Sequence, residues 1–184
     1  MTAYVALLRG INVGGHAKLG MADLRRVFLA LGHAEVTTYL QSGNVVFSSP
    51  AAQPSRLAAA IEQRIASDLG MTVTVLLRTG YDLARVAAAN PFLGRTGDPA
   101  KLHVAFLAAA PDRGRAARLE APAGEAAELA LAGREVYLYY PDGYGRTKLD
   151  NAFLERRLGV AATTRNWRTV TKLSDLAGRP PAAG

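Results

Sequence analysis

Tyr4-Val5-Ala6-Leu7-Leu8-Arg9-Gly10-Ile11-Asn12-Val13-Gly14-Gly15 is an apolar run that stops at Arg9 and passes into a glycine-punctuated loop. A short apolar run bounded in this way reads as a buried central strand. The glycines behind it let the backbone turn and bring N–H groups close to a ligand.

Working outward, Met21 to Leu31 predicts a helix, because Leu24, Val27, Phe28 and Leu31 recur at i, i+3, i+4 and i+7, with Gly32 as its stop. Glu35 to Gln41 and Asn44 to Ser48 predict two strands joined at Ser42-Gly43. After Pro54 a second helix carries Leu57, Ile61, Ile65 and Leu69 and ends at Gly70, and Thr72 to Leu77 alternates as a strand. A linking helix, Tyr81 to Ala89, ends at Asn90-Pro91-Phe92, where the proline holds Asn90 extended.

The same order then returns. Leu102 to Leu107 is a strand, Asp112 to Glu120 a helix, and Glu128 to Leu131 pairs with Glu135 to Tyr140 through Ala132-Gly133. Thr147 to Leu158 is a helix with Thr147 and Asp150 as a capping box, Val160 to Thr164 a strand, and Trp167 to Leu176 a last helix with Asn166 as N-cap. The fold class is therefore α+β: two tandem ferredoxin-like βαββαβ units, each a four-stranded antiparallel sheet with helices on one face, plus a linking helix and a C-terminal helix. The expected boundaries are 1–80 for the first unit, 81–100 for the link, 101–177 for the second unit and 178–184 for a disordered tail.

At 184 residues with 49% hydrophobic content, the chain can bury a real core. Its longest apolar stretch, Val104 to Ala110, is far too short to span a bilayer, so a cytoplasmic protein without a membrane partner is expected. The absence of cysteine excludes disulfides, thiolate nucleophiles and Cys-type zinc sites, and His16, His33 and His103 lack metal-binding spacing, so no metal site is expected. No motif specifies a cofactor. A net charge of +7 favours polyanionic partners, although the Ala, Arg and Gly richness also has a purely compositional explanation.

In a βαββαβ unit the first and second strands are parallel, so Arg9, Asn12, Gly14, Gly15 and Lys18 share an end with Gln41, Ser42 and Asn44. In the second unit Arg146 and Lys148 share an end with Arg165 and Asn166, and the Asn90-Pro91-Phe92 link enters there. Were the two ends to meet between subdomains, guanidinium forks, a lysine charge, amides and glycine-flanked N–H groups would form an anion or phosphate cradle. The parts of a hydrolase are missing, with no His-acid pair, paired carboxylates or activated nucleophile at recognisable spacing.

The loop is not a P-loop, since His16 and Ala17 stand where Lys and Ser/Thr would be needed. His16 could serve as acid or base, Asp142 reads as a turn former, and Trp167 as a core anchor. Tyr137 and Tyr139 read as a sheet pair or a stacking platform. Three functions stay open. They are binding of nucleic acid or a nucleotide, an enzyme for a small phosphorylated or carboxylated substrate, and purely structural contacts within the chain or a homodimer.

Ala6 to Gly15, Tyr39-Leu40-Gln41-Ser42-Gly43-Asn44-Val45-Val46-Phe47, Asn90-Pro91-Phe92 and Thr164-Arg165-Asn166-Trp167-Arg168-Thr169-Val170-Thr171-Lys172-Leu173 resemble the motifs of the bacterial domain of unknown function family 1697. The resemblance implies a cytoplasmic α+β protein of two similar ferredoxin-like subdomains and supplies no activity. The sequence departs from the pattern at His16 and Ala17, where polar or basic residues are common, and at Thr147, where Ser is usual.

Overall fold

A computed structural model describes residues 1–15 and 17–178. The expected disorder of residues 178–184 falls, from Arg179 onward, outside the described residues, as does the acid-base role of His16. The chain divides into two compact units, Met1–Arg85 with the C-terminal segment from Lys172, and Val86–Thr171. Each contains one four-stranded antiparallel sheet, and six α-helices occur among the described residues.

In the first unit, β1 (Thr2–Leu8), α1 (Met21–Ala30), β2 (Ala34–Tyr39), β3 (Asn44–Ser49), α2 (Pro54–Leu69) and β4 (Val75–Thr79) follow in order. The sheet order is β2-β3-β1-β4, which puts the opening apolar run at its centre. Tyr4, Ala6 and Leu8 join Val45, Phe47, Leu24, Phe28, Ile61 and Ile65 in one core cluster. The intervening Val5 and Leu7 are also fully buried, which is why the run is continuously apolar instead of alternating. Tyr4 stacks on Phe47 at 5.6 Å between centroids, and Phe28 meets Phe47 edge-on at 5.0 Å.

The expected elements are all present, with shifted ends. Leu31 is the C-cap of α1 and not its last turn. The β2–β3 turn takes four residues, Leu40 to Gly43, because Leu40 (φ 58) and Gly43 (φ 83) are both left-handed and end the ladder at Tyr39↔Asn44. β4 begins at Val75 and not Thr72, since its partner β1 ends at Leu8, which pairs with Val75. It extends two residues further than expected, to Thr79. There Thr79 and Asp82 bond reciprocally (Asp82 N to Thr79 Oγ1, 3.1 Å; Thr79 N to Asp82 Oδ2, 3.0 Å) and start α3 (Gly80–Ala88).

In the second unit a 3-10 turn (Pro99–Lys101) leads to β5 (Leu102–Leu107), followed by α4 (Arg113–Ala117), β6 (Glu128–Ala132), β7 (Glu135–Tyr139), α5 (Asn151–Leu158) and β8 (Ala162–Asn166). The order β6-β7-β5-β8 matches that of the first unit. α4 is half the expected length, closed by Asp112 as N-cap and Arg118 as C-cap. α5 starts four residues late because Asp150 is its N-cap, accepting from Phe153 N at 2.8 Å. The Thr147 hydroxyl is drawn instead to the Glu125 carboxylate, 2.9 Å away, so the expected capping box does not form. β8 lies two residues later than expected, in the register that sets Leu107 against Ala162 and His103 against Asn166. α6 (Trp167–Ala177) follows at once, with Asn166 Oδ1 accepting from Thr169 N at 2.8 Å as expected of an N-cap. Trp167 is buried.

The two fourth strands carry the same device. Val5 faces Arg78 in the first sheet, and Val104 faces Arg165 in the second. Both arginines are buried, and the residue after each, Thr79 or Asn166, caps the next helix.

Candidate functional site

At one end of the first sheet the chain leaves β1 and turns through Gly10, Asn12, Gly14, Gly15 and Ala17, all at positive φ. Asn12 holds this loop in shape. Its Oδ1 accepts from Leu19 N at 2.8 Å, while its Nδ2 donates to the carbonyls of Leu19 (3.0 Å) and Gln41 (2.6 Å). Its backbone N–H closes the loop on Ala17 O at 3.1 Å. A residue with an amide side chain tolerates the left-handed conformation and uses both amide ends here.

The β2–β3 turn is stitched to the same place. Leu8 N donates to Gly43 O at 2.8 Å, and Asn44, fully buried, donates from Nδ2 to Tyr39 O (2.7 Å) and Ser42 Oγ (3.0 Å). Arg9 is half-buried beside them, its N–H bonded to Thr74 O at 2.9 Å. The structure thus brings together Arg9, Asn12, Gln41, Ser42 and Asn44, and spends the amides of Asn12 and Asn44 on the loops themselves. Gly14, Gly15 and Lys18 stay exposed, and among the described residues the Lys18 ammonium has no partner.

In the second unit Arg146 and Lys148 lie in the exposed loop after β7. Glu125 pins that loop by accepting from the Thr147 hydroxyl and, at 3.0 Å, from Lys148 N. Arg165 is buried and not displayed. Its Nη1 donates to Thr163 Oγ1 (2.8 Å) and Thr164 O (3.0 Å), and desolvation lowers its pKa to about 10. Asn166 is exposed beside it.

Tyr137 and Tyr139 do not form a bare platform. The Tyr137 hydroxyl donates to Val86 O at 3.1 Å, and Tyr139 lies against Phe92 with the Arg95 guanidinium 5.5 Å above its ring.

Sequence reasoning missed an aromatic group at this end. His103 stacks on Tyr144 at 4.8 Å and meets Tyr140 edge-on at 5.2 Å, while the Tyr140 hydroxyl donates to Leu149 O at 2.8 Å. Burial lowers the His103 pKa to about 4, leaving its imidazole neutral, and raises those of Tyr140 and Tyr144. Only the β5–β7 register, continued by the bond from Tyr140 N to Lys101 O, and the path of the 141–148 loop place these rings together, so no local motif signals them.

The family described as Protein of unknown function (DUF1697) matches residues 1–137, and the chain belongs to that family. It is also similar to the solved structure of the conserved bacterial protein SP0830 from Streptococcus pneumoniae, at 25% identity and a TM-score of 0.73, over 96% of this chain and 98% of that one. A search of curated proteins gives no match. No helix among the described residues is long and apolar enough to cross a membrane.

Proposed function

We propose that this protein binds a phosphate-bearing ligand at the loop end of its first unit, through the backbone of Gly14 and Gly15, the Lys18 ammonium and the Arg9 guanidinium. The observation that carries this reading is the loop itself. Five left-handed residues between Gly10 and Ala17 are held by the Asn12 bracket, so exposed N–H groups and a lysine without a partner among the described residues are presented from a fixed frame. Fixing the frame before the ligand arrives removes part of the ordering cost of binding. Gln41, Ser42 and Asn44 support the frame from the hairpin side. The exposed Arg146, Lys148 and Asn166 of the second unit form a separate set for the same class of ligand, without the buried Arg165.

Stacking of bases on the sheet is not part of the proposal, because Tyr4 and Phe47 belong to the core cluster. A purely structural reading is favoured by one observation, that Asn12 and Asn44 already spend their amides within the chain. Thermal-shift titration with nucleotides, sugar phosphates and short RNA separates the two. Under the binding reading a ligand raises the melting temperature, and Lys18→Ala removes that rise without altering the melting temperature of the free protein. No rise with any of them, or the same rise in Lys18→Ala, would leave the structural reading in place.

A further inference from the structure

We propose that the second unit carries a separate site for condensed phosphate, formed by Arg115 and Arg118 at the end of α4 and by Arg156 and Arg157 in the last turn of α5. Among the described residues, these four arginines line an open recess of about 250 Å³.

All four side chains are exposed, and three of them lie against neighbouring groups. The Arg115 guanidinium lies against the left-handed Gly159 that caps α5, where a Cβ would meet Nη1 at 3.0 Å. Arg157 sits over the Phe153 ring at 5.3 Å. The Arg118 guanidinium lies near Gly114, its Nη2 3.8 Å from where a Cβ would stand.

None of the four makes an ion pair or a side-chain hydrogen bond among the described residues. Three neighbouring carboxylates accept from backbone N–H groups. Asp112 accepts from the N–H groups of Gly114 and Arg115, Asp150 from Phe153 N, and Glu155 Oε1 from Ala162 N at 2.9 Å.

Cations near helix C-termini are favourable in themselves, which accounts for one arginine per helix end. It does not account for four guanidinium groups around one recess, a concentration of positive charge that a bound polyanion would neutralise. Guanidinium forks suit phosphate oxygens bidentately. The recess falls below the usual range of about 300–1,000 Å³ for whole small-molecule ligands, so it fits a di- or triphosphate group and not an entire nucleotide. The shared chemistry is a chain of linked phosphates, whether free or as the tail of a nucleotide.

The test is calorimetric titration of the full-length protein with inorganic tripolyphosphate, with inorganic sulfate as the charge control and ATP as the nucleotide arm. Saturable tripolyphosphate binding that weakens with salt and exceeds sulfate binding by at least tenfold is expected. Arg115→Gln with Arg156→Gln should weaken it at least tenfold, and so should Arg118→Gln with Arg157→Gln, a second pair that guards against a folding defect in the first. Equal affinity for ATP assigns the site to nucleotide tails, and binding of tripolyphosphate alone assigns it to free condensed phosphate. Any tripolyphosphate bound at the first-unit loop is lost in Lys18→Ala, so the titrations are repeated in that background, where binding that depends on the four arginines persists and the two sites fail independently. Absence of tripolyphosphate binding, or wild-type affinity in both double variants, overturns the proposal.

Discussion

Gly43 has φ 83, and a Cβ on it would lie 2.6 Å from Ile11 Cδ1 and 2.9 Å from Leu8 Cβ. Two independent penalties therefore fall on any side chain there, left-handed strain and collision with the buried floor of the loop. Gly43→Ala is expected to cost about 3 kcal/mol in urea unfolding, whereas alanine at Gly14, equally left-handed but with nothing within 4 Å, costs only the backbone strain of ~1 kcal/mol. Equal losses at the two positions would show that collision contributes nothing.

His103 gives a pH-dependent counterpart. Its pKa falls from 6.5 to about 4 through burial, so the unfolded chain binds the proton more readily than the folded one. The neutral ring's contribution, about 3 kcal/mol, is complete above pH 6.5 and is lost as the pH falls towards 4. His33 is shifted the same way by burial. His103→Phe, which keeps a ring against Tyr144, should flatten the stability curve between pH 6.5 and 4. An unchanged slope in the variant would assign the acid limb to other groups.

At the scale of elements, what could be read from sequence was whatever local periodicity determines. The stripe Leu24, Val27 and Phe28 is buried as expected, and β5 spans the expected Leu102–Leu107, because a strand buried on both faces announces itself as an apolar run. Ends set by distant partners were not legible. β8 takes its limits from β5 across more than fifty residues, and the choice of Asp150 over Thr147 as cap was made by Glu125, which captures the Thr147 hydroxyl. The candidate site divides in the same way. The Gly and Asn positions of the first loop can be read from local turn chemistry, while the burial of Arg165 and the His103 ring cluster depend on sheet register.

The cap assignment carries its own prediction. Asp150→Ala should lower stability by about 1 kcal/mol through the orphaned Phe153 N–H, with the loss confined to α5 and the loop before it in hydrogen exchange. Thr147→Ala should leave α5 protection intact and loosen only the contact with Glu125. The reverse ranking would restore Thr147 as the cap.

At the scale of the whole molecule, the order of elements along the chain and the grouping of residues into units do not coincide. α6 begins in the second unit at Trp167, but from Lys172 onward its residues belong to the first. There Leu176 and Ala177 line a recess with Ala3, Thr37, Val46 and Ser48 of the first sheet, and the Ala177 carbonyl lies 3.0 Å from where a Cβ on Gly80 would stand. The first unit is therefore assembled from two segments far apart in sequence, and it cannot complete its packing until the C-terminal one is present. Leu173, fully buried in that segment, is the sensitive point. Leu173→Ala removes a buried side chain at a typical cost of about 2–5 kcal/mol. Native-state hydrogen exchange should show that loss in the amides of β1 and β3, while β5 and β7 keep wild-type protection, because the missing side chain belongs to the first unit. A loss confined to β5 and β7 would place the end of α6 with the second unit, and an equal loss in both sheets would mean that the two open as one cooperative body.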